Sequence, residues 1–297
     1  SRHRSAIMMN RPLFGRIDAL YRNRESLGLD AEASRVLELK WKSFVRSGAK
    51  LNETDQTRLA AISERLATLG TAFSQNVLAD ERDYALVLET NEDLAGLPDS
   101  LISSMSAAAE ERGHKDRYVV TLSRSIVEPF LTCSERRDLR ETAFRAWGAR
   151  GEGTGERDNR PLVAEMVSLR AEKAALLGFS SFAHFKLDDT MAKTPENVRS
   201  LLNTVWEKAR GRATEEAAEL SLLIAAEGQN RNVAPWDWRH YSEKARAARY
   251  DFDEEEIKPY LQLEKMIEAA FHTAERLFGL TFREHKAASA YHPDVRV

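Results

Sequence analysis

The chain has 297 residues, 44 Lys plus Arg against 47 Asp plus Glu and a formal net charge of -3, so it can bury a substantial core and carries no basic field for nucleic acid. Ser1 to Arg11 lacks the apolar run of an export signal, no stretch of about 18 apolar residues is long enough to cross a bilayer, and a lone Cys133 excludes an intramolecular disulfide. These exclusions predict a soluble protein of a reducing compartment, with the cytoplasm as default.

Helix signals dominate in chain order. Asn52-Glu53-Thr54-Asp55 offers a side-chain acceptor to orphan amides and early acids to the helix dipole, which predicts the start of a long helix. Its apolar positions Leu59, Ile62, Leu66, Leu69, Phe73 and Val77 recur at threes and fours and predict one buried stripe. The alternation Tyr84, Leu86, Leu88 and the β-favouring run Tyr118 to Ser123 predict a small antiparallel ribbon, with a short helix between them from Leu97-Pro98-Asp99 to Gly113.

Ser134-Glu135 is expected to open a helix carrying Leu139, Ala143, Phe144 and Trp147, closed by a left-handed Gly148. Gly148, Gly151, Gly153 and Gly155 then read as a flexible connector, because no Lys-Ser/Thr ending of a phosphate loop follows. This connector is the best internal boundary and divides the chain into regions 1–150 and 151–297. Asn159-Arg160-Pro161 and Thr194-Pro195-Glu196 start two further helices. The first turns Leu162, Val163, Met166, Leu169 and Leu177 inward and ends at Gly178; the second buries Val198, Leu201, Leu202, Val205 and Trp206. Asp253 and Glu256 predict a capping box for a last helix running through Pro259 to Phe278.

Candidate chemistry is sparse. The zinc signature H-E-x-x-H, which sets two imidazoles one turn apart beside a glutamate, is met by no histidine here. His272 and Glu275 have helical spacing, but Arg276 stands where an inverted motif needs a second histidine. Glu111 and His114 match one half of a di-iron motif without a second copy. His184, His285 and His292 lack further ligands at metal spacing, and the acids Asp251 to Glu256 are explained by a helix start. Cys133, next to the presumed helix cap Ser134, has the weak cue of a thiol at a helix N-terminus, and a structural role explains it better. The aromatic group Trp236, Trp238, Tyr241, Tyr250 and Phe252 anchors a loop more simply than it lines a peptide groove. No catalytic, cofactor-binding or metal residue is therefore assigned.

Six segments in order carry a resemblance: Arg24-Glu25-Ser26-Leu27-Gly28-Leu29-Asp30, Gly48-Ala49-Lys50-Leu51, Leu176-Leu177-Gly178-Phe179, Met191-Ala192-Lys193-Thr194-Pro195-Glu196, Pro235-Trp236-Asp237-Trp238 and Tyr291-His292-Pro293-Asp294-Val295-Arg296-Val297. From Pro12 to Val297 the chain resembles the N-terminal portion of the thimet oligopeptidase and neurolysin family of zinc metallopeptidases, and most closely its bacterial dipeptidyl carboxypeptidase branch. The resemblance implies a mainly α fold, a multi-helix lobe of a two-lobed peptidase with a small antiparallel β ribbon, in which region 151–297 forms part of a narrow channel wall. It also implies hydrolysis of short peptides with release of C-terminal dipeptides, and a zinc held by a later H-E-x-x-H helix. On that reading the ends are trimmed, the chain alone is inactive and binds no zinc, and its partners are short peptides and a C-terminal catalytic half. Tyr291 to Val297 is expected to be extended. The alternative is a free-standing, non-catalytic helical domain that binds peptides or proteins.

Overall fold

The computed structural model describes residues 2–250, 254–286 and 288–297. They are mainly helical and divide into two compact units, Ser1–Tyr241 and Ser242–Val297. No described helix is long and apolar enough to cross a membrane.

The first unit opens with α1 (Arg2–Met8), α2 (Arg11–Arg22) and α3 (Ala31–Arg46). Asn10 and Asp30 cap α2 and α3 by accepting from the amides of Leu13 and Ala33, which removes orphan donors at each start. The two helices pack through a Tyr21–Trp41 stack, 4.1 Å between centroids, and the Trp41 indole donates to Asp18 at 2.8 Å. At the turn after α3, Gly48 has φ +93°, and a Cβ there would overlap the Leu59 methyl, so the residue must be glycine.

The Asn52 cap is present, with the Asp55 amide donating to its Oδ1 at 2.9 Å, and α4 (Glu53–Asp83) follows. Leu59, Ile62 and Leu69 of the expected stripe are buried, whereas Phe73 is exposed. The partner of α4 is α8 (Asn159–Leu176). Arg58 grips Glu172 and Arg65 grips Glu165 through paired hydrogen bonds of 2.5–2.7 Å, so the helices run antiparallel, with both pairs one heptad apart. At one end of this pair Asn159 bridges the two helices, taking a bond from Asn76 and donating to the Phe73 carbonyl.

Between α4 and α8 lies the ribbon, β1 (Leu86–Leu88) against β2 (Tyr118–Val120), antiparallel with Leu86 opposite Val120 and Leu88 opposite Tyr118. Helix α5 (Asp99–Glu111) connects the strands as expected, and α6 (Arg124–Cys133) and α7 (Arg137–Gly148) complete the layer. Leu88, Met105, Val120, Val127, Phe130, Leu131 and Ala143 form its core. Three expectations are corrected in this region. Helix α6 has no counterpart in the sequence reading, because Pro129 sits inside it and breaks the usual pattern; burial of Ile126, Val127, Phe130 and Leu131 offsets the lost backbone bond. Helix α7 starts at Arg137 rather than Ser134, and Gly148 is its last helical residue rather than a left-handed cap. The glycine stretch is also held in place: the Gly151 amide donates to Asp80 at 2.7 Å and its carbonyl accepts from Asn159 at 2.9 Å.

After α8, Gly178 closes the helix as expected, in the left-handed conformation, and α9 (Phe182–Leu187) leads to the 32-residue α10 (Pro195–Ala226), capped by Thr194. Helix α11 (Pro235–Arg249) follows.

Within the second unit, α12 (Glu254–Ile257) and a 3-10 turn at Lys258–Tyr260 precede α13 (Leu263–Phe278). The single helix expected here is thus broken around Pro259, whose ring cannot continue the hydrogen-bond ladder. The predicted cap at Asp253, and Asp251 and Phe252, lie outside the described residues. Tyr291 to Val297 forms bends and a turn instead of a strand, and Arg296 pairs with Glu264 at 3.0 Å.

Candidate functional site

The least ambiguous construction among the motif residues is at Asp237, on the first turn of α11. Its side chain is 0 % exposed and Arg140 is 1 % exposed. Arg140 donates to Asp237 at 3.0 Å, to the Ser134 carbonyl at 2.6 Å and to the Trp236 carbonyl at 3.2 Å, while Arg137 adds a forked contact of 3.0–3.2 Å. The Ala234 amide supplies a further bond at 3.2 Å. Desolvation pushes the Asp237 carboxyl up, but Arg137, the Ala234 amide and Arg140 outweigh it and hold it below the usual carboxylate range. A carboxylate surrounded by donors and closed to solvent has no lone pair free for a substrate, so its chemistry is anchoring. Trp236 reinforces the joint, its ring 4.7 Å from the Arg145 guanidinium and 6.3 Å from Phe144. Loop anchoring is therefore the use that this part of the aromatic group shows.

His240 is the buried histidine that sequence reasoning passed over. Its Nδ1 lies 3.1 Å from the Thr132 carbonyl and its ring meets Tyr241 edge-on. The Tyr241 hydroxyl donates to Glu227 at 2.6 Å and accepts from Arg231 at 3.2 Å. One signal was available: helical spacing places His240 on the turn after the buried Asp237.

The other candidates fall apart in space. His184 Nδ1 lies 2.8 Å from Ser181 Oγ and 3.0 Å from Ser180 Oγ, with Glu196 at 3.8 Å from Nε2. That trio superficially matches a nucleophile, base and acid, but Ser181 caps α9 and Glu196 is exposed in the first turn of α10, so helix starts account for both. Glu111 ends α5 and His114 follows its left-handed Gly113, donating its amide to the Ala109 carbonyl at 2.9 Å. His272 is exposed on α13, and His292 turns back on Asp294. Cys133 is the last residue of α6, not the start of a helix, so the helix N-terminus that the cue requires is not there. Among the described residues no three His, Cys, Asp or Glu side chains come together as a metal site.

A different feature marks α10. Leu201, Leu202, Val205 and Trp206, expected to be buried, form an exposed face, with Trp206 at 64 % and Leu201 at 68 %. Farther along the same helix Leu220 and Ile224 are buried. The apolar periodicity is real and Val198 at its start is half-buried, but among the described residues of the first unit nothing covers Leu201, Leu202, Val205 and Trp206.

Comparison with known proteins supplies the context. The model of peptidase family M3 matches residues 130–297. The chain is 37 % identical over 292 residues to the dipeptidyl carboxypeptidase of Escherichia coli, covering 98 % of this chain and 43 % of that protein. It is 31 % identical over 272 residues to oligopeptidase A of Salmonella typhimurium, covering 90 % and 40 %, and 26 % identical over 278 residues to saccharolysin of Saccharomyces cerevisiae, covering 90 % and 38 %. The chain thus spans about two fifths of the length of these curated relatives.

Proposed function

Because the chain belongs to peptidase family M3, we propose that it forms the N-terminal helical portion of a zinc peptidase that cleaves short peptides and releases C-terminal dipeptides. The observation that carries this reading is the 37 % identity to a dipeptidyl carboxypeptidase along 98 % of the chain. Its residues serve as scaffold and, in region 151–297, as channel wall. The exposed face of α10 and the rigid seat at Asp237 support that role, since a wall needs fixed helices with uncommitted side chains. No catalytic step is assigned to a residue of this chain, because among the described residues its histidines and acids do not cluster and no histidine in the sequence has H-E-x-x-H spacing. We place the protein in the cytoplasm, on the single Cys133, which suits a reducing compartment.

The test is metal analysis and peptide digestion on the purified 297 residues, followed by the same assays on a protein extended to the relatives' full length. The extended protein is expected to bind one zinc and remove dipeptides from peptide C-termini, and the 297 residues to do neither. Stoichiometric zinc and cleavage by the 297 residues would overturn the division of labour. Inactivity of the extended protein would favour a non-catalytic helical binding domain.

A further inference from the structure

A cavity of about 350 Å³ opens between α3, α4 and α8, well apart in sequence from the family motifs around Asp237. One part of its lining is polar: Lys42, Ser43 and Arg46 from α3, Ser63 from α4, Lys173 from α8, and the Asp189 carboxylate, which Arg46 already holds. Leu39, Leu59 and Phe185 supply an apolar part.

The charges do not balance. Lys42 and Arg46 both meet Asp188 Oδ2 at 3.0 Å, and Arg46 Nε meets Asp189 at 3.0 Å. Three cations against these two carboxylates leave one positive charge in excess. The excess falls on Lys173, whose Nζ touches Ser63 Oγ at 3.4 Å and faces the Phe185 ring at 5.8 Å, with no carboxylate at ion-pair distance among the described residues. Burial lowers the Lys173 ammonium pKa, and Lys186 and Arg46 lower it further. A half-buried cation with no counter-ion is costly to keep. An anion in the cavity would offset that cost, and the Ser43 and Ser63 hydroxyls can donate to it.

Size and lining narrow the ligand. The cavity is roughly ten times the ~30 Å³ share of one water, more than a bare inorganic ion fills, and its apolar part would face such an ion without compensation. We propose that this cavity binds a small organic carboxylate, with the carboxylate between Lys173, Ser63 and Arg46 and a short apolar tail against Leu39, Leu59 and Phe185. The site stands independently of the peptidase reading and adds a ligand to the scaffold.

Calorimetric titration of the protein with sodium butyrate, sodium phosphate and sodium chloride tests it. Butyrate is expected to bind once per chain, at least about tenfold more tightly than either inorganic ion, as expected for added apolar contact. Lys173→Met should weaken butyrate about tenfold or more, while raising the melting temperature of the ligand-free protein, because an uncompensated charge is gone. Ser63→Ala should weaken binding severalfold, and Lys186→Met, outside the lining, should leave it within about twofold. Should Lys173→Met fail to fold, Ser63→Ala decides alone. The proposal is overturned by absence of saturable butyrate binding, by phosphate or chloride binding as tightly as butyrate, or by Ser63→Ala and Lys173→Met binding it as the parent does.

Discussion

At the scale of single residues, Asp237 shows how a motif can be visible while its role is not. Pro235-Trp236-Asp237-Trp238 stands out in the sequence, but the side chains that neutralise Asp237 lie 97 and 100 positions earlier. Local spacing carries no information about partners that distant. Replacing Asp237 by Ala would leave Arg140 buried without a counter-ion, and the expected loss is about 3–5 kcal/mol of folding stability, read as a lower urea midpoint at unchanged slope. Asp237→Asn should lose less, because it keeps the hydrogen-bonding shape. A midpoint for Asp237→Ala close to that of the parent would show that the anchor is dispensable. Cys133 errs in the other direction: the sequence places it beside Ser134, but which helix owns those two residues depends on Pro129 being tolerated, and that is a consequence of burial. The residues lining the Lys173 cavity were equally illegible, since they come from α3, α4, α8 and the segment around Phe185, which lie far apart in the sequence.

At the scale of elements, starts were read far better than faces. Asn52 and Thr194 accept from the amides three residues on, as their side-chain chemistry dictates, and the ribbon pairs where β-branched residues cluster. The outward turn of Leu201, Leu202, Val205 and Trp206 could not be read, because periodicity shows that a face is apolar without showing what covers it. Leu202→Lys with Trp206→Lys is expected to change the stability of the protein by no more than about 0.5 kcal/mol per site, and to reduce its binding of a hydrophobic dye. A loss of several kcal/mol would mean that this face is covered in solution. Helices α4 and α8 show the opposite case, a face with its partner in place. Arginines lie on one helix and glutamates on the other, so the pairing favours α4 with α8 and disfavours either helix with itself.

For the whole molecule, acid sensitivity follows from the many carboxylates that accept hydrogen bonds from arginine or tryptophan. Arg82 and Arg157 bring Asp83 down to about 2, the Trp41 indole leads the lowering of Asp18, and Glu165 and Glu172 are lowered by Arg65 and Arg58. Their folded-state values lie below those of an unfolded chain, so the stability they contribute is present above the unfolded values near 4 and is lost as pH falls through the folded ones. Melting temperature is therefore expected to hold near neutrality and to fall between about pH 4 and pH 2; a flat profile over that range would remove the linkage.

The layer between α4 and α8 has a consequence for the order of folding. Every member of its core, from Leu86 to Trp147, comes from one continuous stretch of chain, whereas Arg58 and Arg65 must wait for glutamates 114 and 100 residues downstream. Short loops close before long ones, so the ribbon layer is expected to gain protected amides first in pulse-labelled hydrogen exchange, with α4 and α8 protected later and together. On a ribosome the same order leaves α4 with its arginine face open while the ribbon layer is already closed, a window in which a chaperone with an acidic surface could hold the nascent chain.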